Sequence, residues 1–119
     1  MRTKFLYAAY GWLLLSGVLH FGIDVVSQYV RGRRAPGSET TLYYGLNTSY
    51  ALGQLLVALL ALLLLQSGSS VLVSWPGLTL GFGAAAAWLA ICFLFIEYPQ
   101  PRIIMAIFIV LLACAALIA

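Results

Sequence analysis

The chain is 119 residues long, 64% hydrophobic and only 8% charged. Soluble domains carry about 25% charged residues, so the composition excludes a water-soluble globule and points to one integral membrane domain over residues 1–119. Six Lys and Arg against three acids give a net charge of +3, but the bases flank apolar runs, where they act as orientation signals and headgroup contacts and not as a nucleic-acid footprint.

Residues 1–4 are basic and residues 5–21 apolar, which imitates a signal peptide. The run exceeds an h-region of about 7–15 residues and no small-x-small cleavage site follows, so residues 5–30 are expected to stay as a first membrane-spanning helix. Late in that helix come His20, Asp24 and Gln28. Spaced by four, they share one helix face. An imidazole and a carboxylate are costly at hydrocarbon depth and face a protein interior when they occur there. A carboxylate favours the charged imidazole and burial opposes it, so the pair is expected to titrate near neutral pH. The competing reading is structural, a hydrogen bond within the helix or an Asp24 sitting in interfacial water.

Residues 31–40 are dense in Arg, Gly and Pro and must leave the bilayer. The cluster Arg31, Arg33, Arg34, together with Arg102 further on, is expected to contact anionic headgroups or a phosphate-bearing ligand. Thr40 or Thr41 is the expected cap of a second helix over residues 42–65. Its first half is amphipathic, with Tyr43, Asn47, Tyr50 and Gln54 on one polar face. Its second half, residues 55–65, is Leu, Ala and Val. Asn47 and Gln54 serve either to hydrogen-bond helices together or to line a ligand pocket.

An uncharged turn at residues 66–70 leads to a third helix, expected over residues 71–97. Ser74 is its candidate cap and Pro76 is tolerated near its start. Gly77, Gly81, Gly83 and the alanines at 84–87 give it a small-residue surface for close packing, within or between protomers. Cys92 and Cys114 lie in apolar runs, where a thiol behaves as a small hydrophobe. Glu97, Tyr98 and two prolines end this helix, with Glu97 read as a solvated helix-end carboxylate within reach of the arginines. A short apolar fourth helix follows over residues 102–118, with the Ala119 carboxylate at its mouth. Trp12, Trp75, Trp88, Tyr44 and Tyr98 read as interface-belt residues.

The fold expected is therefore all-α, a bundle of four transmembrane helices with short loops. Arg2 and Lys4 lie on one side of the membrane, and Arg31, Arg33, Arg34 and Arg102 on the other. Positive charge favours the cytoplasm, so both termini are expected outside, in the inner membrane of a bacterium. His20, Asp24, Gln28, Tyr43, Asn47, Tyr50, Gln54 and Glu97 all fall toward the loop-rich side, which implies a one-sided polar pocket between the first two helices.

No nucleophile elbow, Walker loop, HExxH, CxxC or CxxCH is present. One histidine supplies neither bis-histidyl haem ligation nor a multi-histidine metal site, so no cofactor or metal is expected. His20, Asp24 and Glu97 have acid–base chemistry, but nothing in the chain positions a substrate, which argues against an enzyme. The expected function is binding or transport of a small polar or headgroup-bearing ligand, in a homo-oligomer. The alternative is an accessory subunit of a larger membrane complex.

Overall fold

A computed structural model describes residues 1–118. It contains four helices long and apolar enough to cross a membrane: α1 (Arg2–Val30), α2 (Ser38–Gln66), α3 (Trp75–Phe95) and α4 (Gln100–Leu117). No strand occurs among the described residues, and the all-α, four-span architecture expected from composition is what the chain adopts. The Ala119 carboxylate lies outside the described residues.

Helix ends follow local chemistry. After α1, Gly32 takes φ +57, and the Arg33 and Gly32 amides donate to the Gln28 and Tyr29 carbonyls at 3.2 and 3.1 Å. Gly68 repeats this after α2 with φ +72, Ser69 and Gly68 donating to Leu64 and Leu65. Both are six-to-one closures in which glycine supplies the left-handed residue. α2 starts at Ser38, before the expected residue 42, and neither Thr40 nor Thr41 caps it. The Thr40 hydroxyl donates to the Ala35 carbonyl at 2.6 Å and that of Thr41 to Gly37 at 3.1 Å, so both hydroxyls close the preceding turn.

α3 is shorter than the expected 71–97. Val71–Val73 form a separate 3₁₀ turn and Ser74 is extended; Pro76 offers no N–H to a carbonyl of that turn, so the helix starts afresh at Trp75 with Pro76 in its first turn. The Ser74 hydroxyl donates back to Val71 at 2.5 Å instead of capping α3. At the far end Ile96 is extended, and α4 begins earlier than expected with Pro101 in its first turn, where a missing N–H costs nothing.

α1 is the central element, packed against α2 on one side and α4 on the other, with α3 against α4. Its Leu6, Ala9, Tyr10 and Leu13 are buried against Met105, Phe108 and Leu112 of α4 and Ala58 and Ala61 of α2. Spacings of three and four put each set on one face. Tyr10 and Phe108 meet edge to face with ring centroids 5.7 Å apart. The small residues of α3 divide by face: Gly77, Gly81 and Ala85 point inward, while Gly83, Ala86, Ala87 and Ala90 are exposed. A Cβ on Gly81 would lie 2.9 Å from the Tyr10 hydroxyl, so the inward stripe is a seam within this chain.

Helix lengths set where the polar groups lie. At 1.5 Å per residue, α1 and α2 are each about 43 Å long, against about 31 Å for α3 and 27 Å for α4. At the terminal end they are flush: the Arg2 guanidinium donates to the Ala115 and Ile118 carbonyls at 3.0 and 2.9 Å and to Val73 at 3.1 Å. The excess length therefore projects at the other end. There the connection between α3 and α4 reaches only the level of His20 and Asp24, and the rest of the α1–α2 hairpin extends beyond it. A hydrocarbon layer about 30 Å thick, measured from the terminal end, would reach about to this level.

Candidate functional site

α1 changes geometry where the polar residues begin. Phe21–Ser27 are π-helical between two α-helical stretches. Such wide turns are rare and cluster at functional sites. His20 enters this segment and Asp24 sits at its middle, with Nδ1 of His20 3.0 Å from Oδ2 of Asp24. Their side chains are 8% and 16% exposed, so both are held largely away from solvent.

The second ring nitrogen is also engaged. Nε2 of His20 lies 3.0 Å from Oδ1 of Asn47, while Nδ2 of Asn47 donates to the Tyr43 carbonyl at 2.9 Å. A carbonyl only accepts, so the amide orientation is fixed and Oδ1 faces the histidine. Nε2 must then carry a proton. Nδ1 faces a carboxylate oxygen, so a second proton belongs between Nδ1 and Oδ2, shared by the pair. His20 also lies 4.9 Å from the Tyr50 ring, centroid to centroid, and the Tyr50 hydroxyl is 3.3 Å from Sγ of Cys92. Cys92 is buried as expected, but it has this polar neighbour besides.

Gly17 explains why α2 comes so close. A Cβ there would meet Cβ of Gln54 at 3.2 Å and the Ala51 carbonyl at 3.3 Å. Gln54 is 1% exposed, and its Oε1 has no hydrogen-bond partner among the described residues. Asn47, Tyr50 and Gln54 thus back the histidine in a filled α1–α2 contact. The cavity opens on the other side of α1. It has a volume of about 490 Å³ and is lined by Ser16, Leu19, His20, Ile23 and Asp24 of α1, Tyr98 of the α3–α4 connection, and Gln100, Pro101 and Ile104 of α4.

Three polar lining residues escaped the sequence reading as site groups. Ser16 precedes His20 by four residues, so the stripe of His20, Asp24 and Gln28 already extended to it. Its hydroxyl donates to the Trp12 carbonyl at 2.7 Å, so it can only accept from a further partner. Tyr98, read as an interface residue, sits against Asp24; burial first, and then the neighbouring carboxylate, push its phenol above the ordinary value of 10.0. No local pattern marks Tyr98 or Gln100, because only the turn between α3 and α4 brings them to α1.

The remaining predicted residues lie apart from this cavity. Gln28 accepts from Nε of Arg34 at 3.3 Å, and the Arg34 guanidinium stacks 3.4 Å above the Tyr43 ring. Arg31 and Arg33 are exposed on the loop, as is Glu97 on the α3–α4 connection. Arg102 turns back on α3, donating from Nη2 to the Ile96 carbonyl at 2.8 Å, where a cation complements the helix dipole. Among the described residues no group of His, Cys, Asp and Glu is placed to hold a metal.

No family model, curated protein or solved structure matches the chain.

Proposed function

We propose that this chain binds a small ligand with a polar head at the rim of the bilayer, and that binding is linked to the proton shared by His20 and Asp24. The carrying observation is the pair itself: an imidazole held between two acceptors, set on a π-helical turn in the wall of a cavity. Partly buried pairs of titratable groups facing a cleft are the usual mark of a binding or transport site. In this reading the protein sits in a bacterial inner membrane with the cavity toward the cytoplasm. A transport path would be completed by a second protomer.

The test uses purified protein in phosphatidylcholine nanodiscs and a panel of small amines, carboxylates and alcohols. Binding is followed by calorimetry in two buffers of different ionisation enthalpy. At least one class is expected to bind with proton exchange in the wild type and to lose that exchange in Asp24→Asn. Binding with no proton exchange, or exchange unaffected by changes at both His20 and Asp24, removes the proposal.

One observation favours an accessory role instead. The projecting hairpin exposes Tyr29 at 72%, Val30 at 77% and Leu42 at 62%, an apolar surface beyond the ends of α3 and α4 that suits a partner subunit. Gentle purification from native membranes separates the readings. A foreign subunit at constant stoichiometry, lost on Val30→Asp, supports the accessory role.

A further inference from the structure

We infer that the ligand head is a primary ammonium, and that it takes the place of the proton shared by His20 and Asp24. The inference rests on the binding reading above and specifies its ligand chemistry.

The cavity wall holds few free donors and several free acceptors. Most of the donors are already engaged, the Gln100 amide being the exception and the Tyr98 hydroxyl facing Asp24. His20 uses Nε2–H on Asn47 and shares its second proton with Asp24, the Ser16 hydroxyl donates to Trp12, and Arg102 is turned to the end of α3. The atoms left unspent are largely acceptors: the second carboxylate oxygen of Asp24 and the lone pairs of Ser16 and Tyr98. Such a wall, with Asp24 its one carboxylate, selects a ligand that brings N–H groups and positive charge, and it offers an anion only the Gln100 amide.

Charge balance leads to the same ligand. With its shared proton the pair is neutral overall, an imidazolium beside a carboxylate. Once that proton leaves to water, the Nδ1 lone pair and the Asp24 oxygen face each other at 3.0 Å with no donor between them, and the site carries one negative charge. A primary ammonium restores both terms. It donates N–H to the exposed acceptors and returns the site to neutrality, so one proton is released for each ammonium bound. A quaternary ammonium has the charge but no N–H, and fails the first requirement.

The surroundings fix the rest of the ligand. Leu19, Ile23, Pro101 and Ile104 give the cavity an apolar wall, and about 490 Å³ accommodates an alkyl or aryl body. With the pair at the rim of the bilayer, as proposed above, such a molecule arrives with its head at headgroup depth and its body toward hydrocarbon. The groups facing the pair are Asn47 and Tyr50 from α2, Cys92 of α3 through Tyr50, and Tyr98 from the α3–α4 connection. α4 contributes Gln100, Pro101 and Ile104, so no second ionised side chain competes for the ammonium. The same chemistry is presented by free amines and by ethanolamine lipid headgroups.

The experiment follows the single histidine, labelled with ¹³C and ¹⁵N, by NMR of the full chain in phosphatidylcholine nanodiscs. The probes are 2-phenylethylammonium, its N-trimethyl analogue, 2-phenylethanol and 3-phenylpropionate. The primary amine is expected to shift the His20 signals. Its affinity should rise by about tenfold per pH unit while the pair still carries its proton, the slope for release of one proton. The other three probes should leave the signals in place, and Asp24→Asn should lose the response. If that variant fails to fold, the comparison of probes on the wild type decides alone. Nanodiscs containing phosphatidylethanolamine identify the source: a shift on adding that lipid which the free amine cannot reproduce assigns the headgroup, and the reverse assigns a free amine. An equal shift from the alcohol, the carboxylate or the trimethyl analogue overturns the ammonium assignment. If one of those binds with proton exchange, the proton-linked site survives that result; if no probe or lipid moves the histidine, both proposals fall.

Discussion

At the scale of single residues, the glycines of α3 show what one added methyl group would meet. A Cβ on Gly77 would run into the Val71 carbonyl oxygen, with the turn backbone around it, whereas one on Gly83 meets nothing within 4 Å. Gly77→Ala is therefore expected to cost about 1–3 kcal/mol, as overpacking does, and Gly83→Ala to stay within about 0.5 kcal/mol; thermal unfolding in detergent compares them. The sequence showed both residues as small, but not which one a 3₁₀ turn would cover. Tyr98 gives a second prediction. Burial and Asp24 raise its phenol, so the folded chain keeps this proton to higher pH than the unfolded chain does. Above about pH 10, where an unfolded tyrosine ionises, that difference costs stability, and it grows with pH. The wild type should therefore lose thermal stability more steeply than Tyr98→Phe as pH is raised past that point. Equal slopes would mean that the phenol is not shielded in the folded state.

At the scale of elements, the four helices were legible because they follow from composition and local rules, whereas residues 31–40 and 66–70 read only as a loop and a turn. The long apolar runs allow only helices in lipid; that Gly32 and Gly68 take left-handed closures showed only in the folded chain. The π-helical turn was not legible. Its residues, Phe21 to Ser27, have no proline or insertion signature, and the wide geometry shows only in the three-dimensional chain. Nor was the side of α1 on which the cavity opens. The stripe of polar residues on α2 pointed to an α1–α2 pocket, but Gly17 brings Gln54 and Ala51 too close to leave one. If the π turn sets the His20–Asp24 contact, deleting Gly22, which is exposed and lies between them, should let the segment relax toward α geometry. Helix content by circular dichroism is expected to be retained, while the proton exchange on ligand binding is lost. Retained exchange in the deletion variant would show that the pair does not depend on the π turn.

At the scale of the whole molecule, charge placement and helix length bear on orientation together. By count, Arg31, Arg33, Arg34 and Arg102 oppose Arg2 and Lys4, but these charges are not equally available. Arg2 is bound to carbonyls at the end of α4, and Arg102 to the carbonyl of Ile96 at the end of α3, where the negative ends of helix dipoles offset them. What remains is Lys4 on the terminal side against three arginines on a hairpin that projects past the other helices. That sharpens the bias for holding the hairpin in the cytoplasm beyond what counting bases gives, and it places the His20–Asp24 cavity on the same side. The orientation can be read by cysteine labelling in a Cys114→Ala background, since Cys92 is 0% exposed and should not react. Ser38→Cys at the start of α2 is expected to resist a membrane-impermeant maleimide in intact cells until they are permeabilised, and Ser70→Cys, on the terminal side, to react at once. The opposite pattern would place the cavity outside. Equal labelling of both in intact cells would mean that the chain inserts in both orientations, so that a pair of antiparallel protomers would present its cavities to both faces of the membrane.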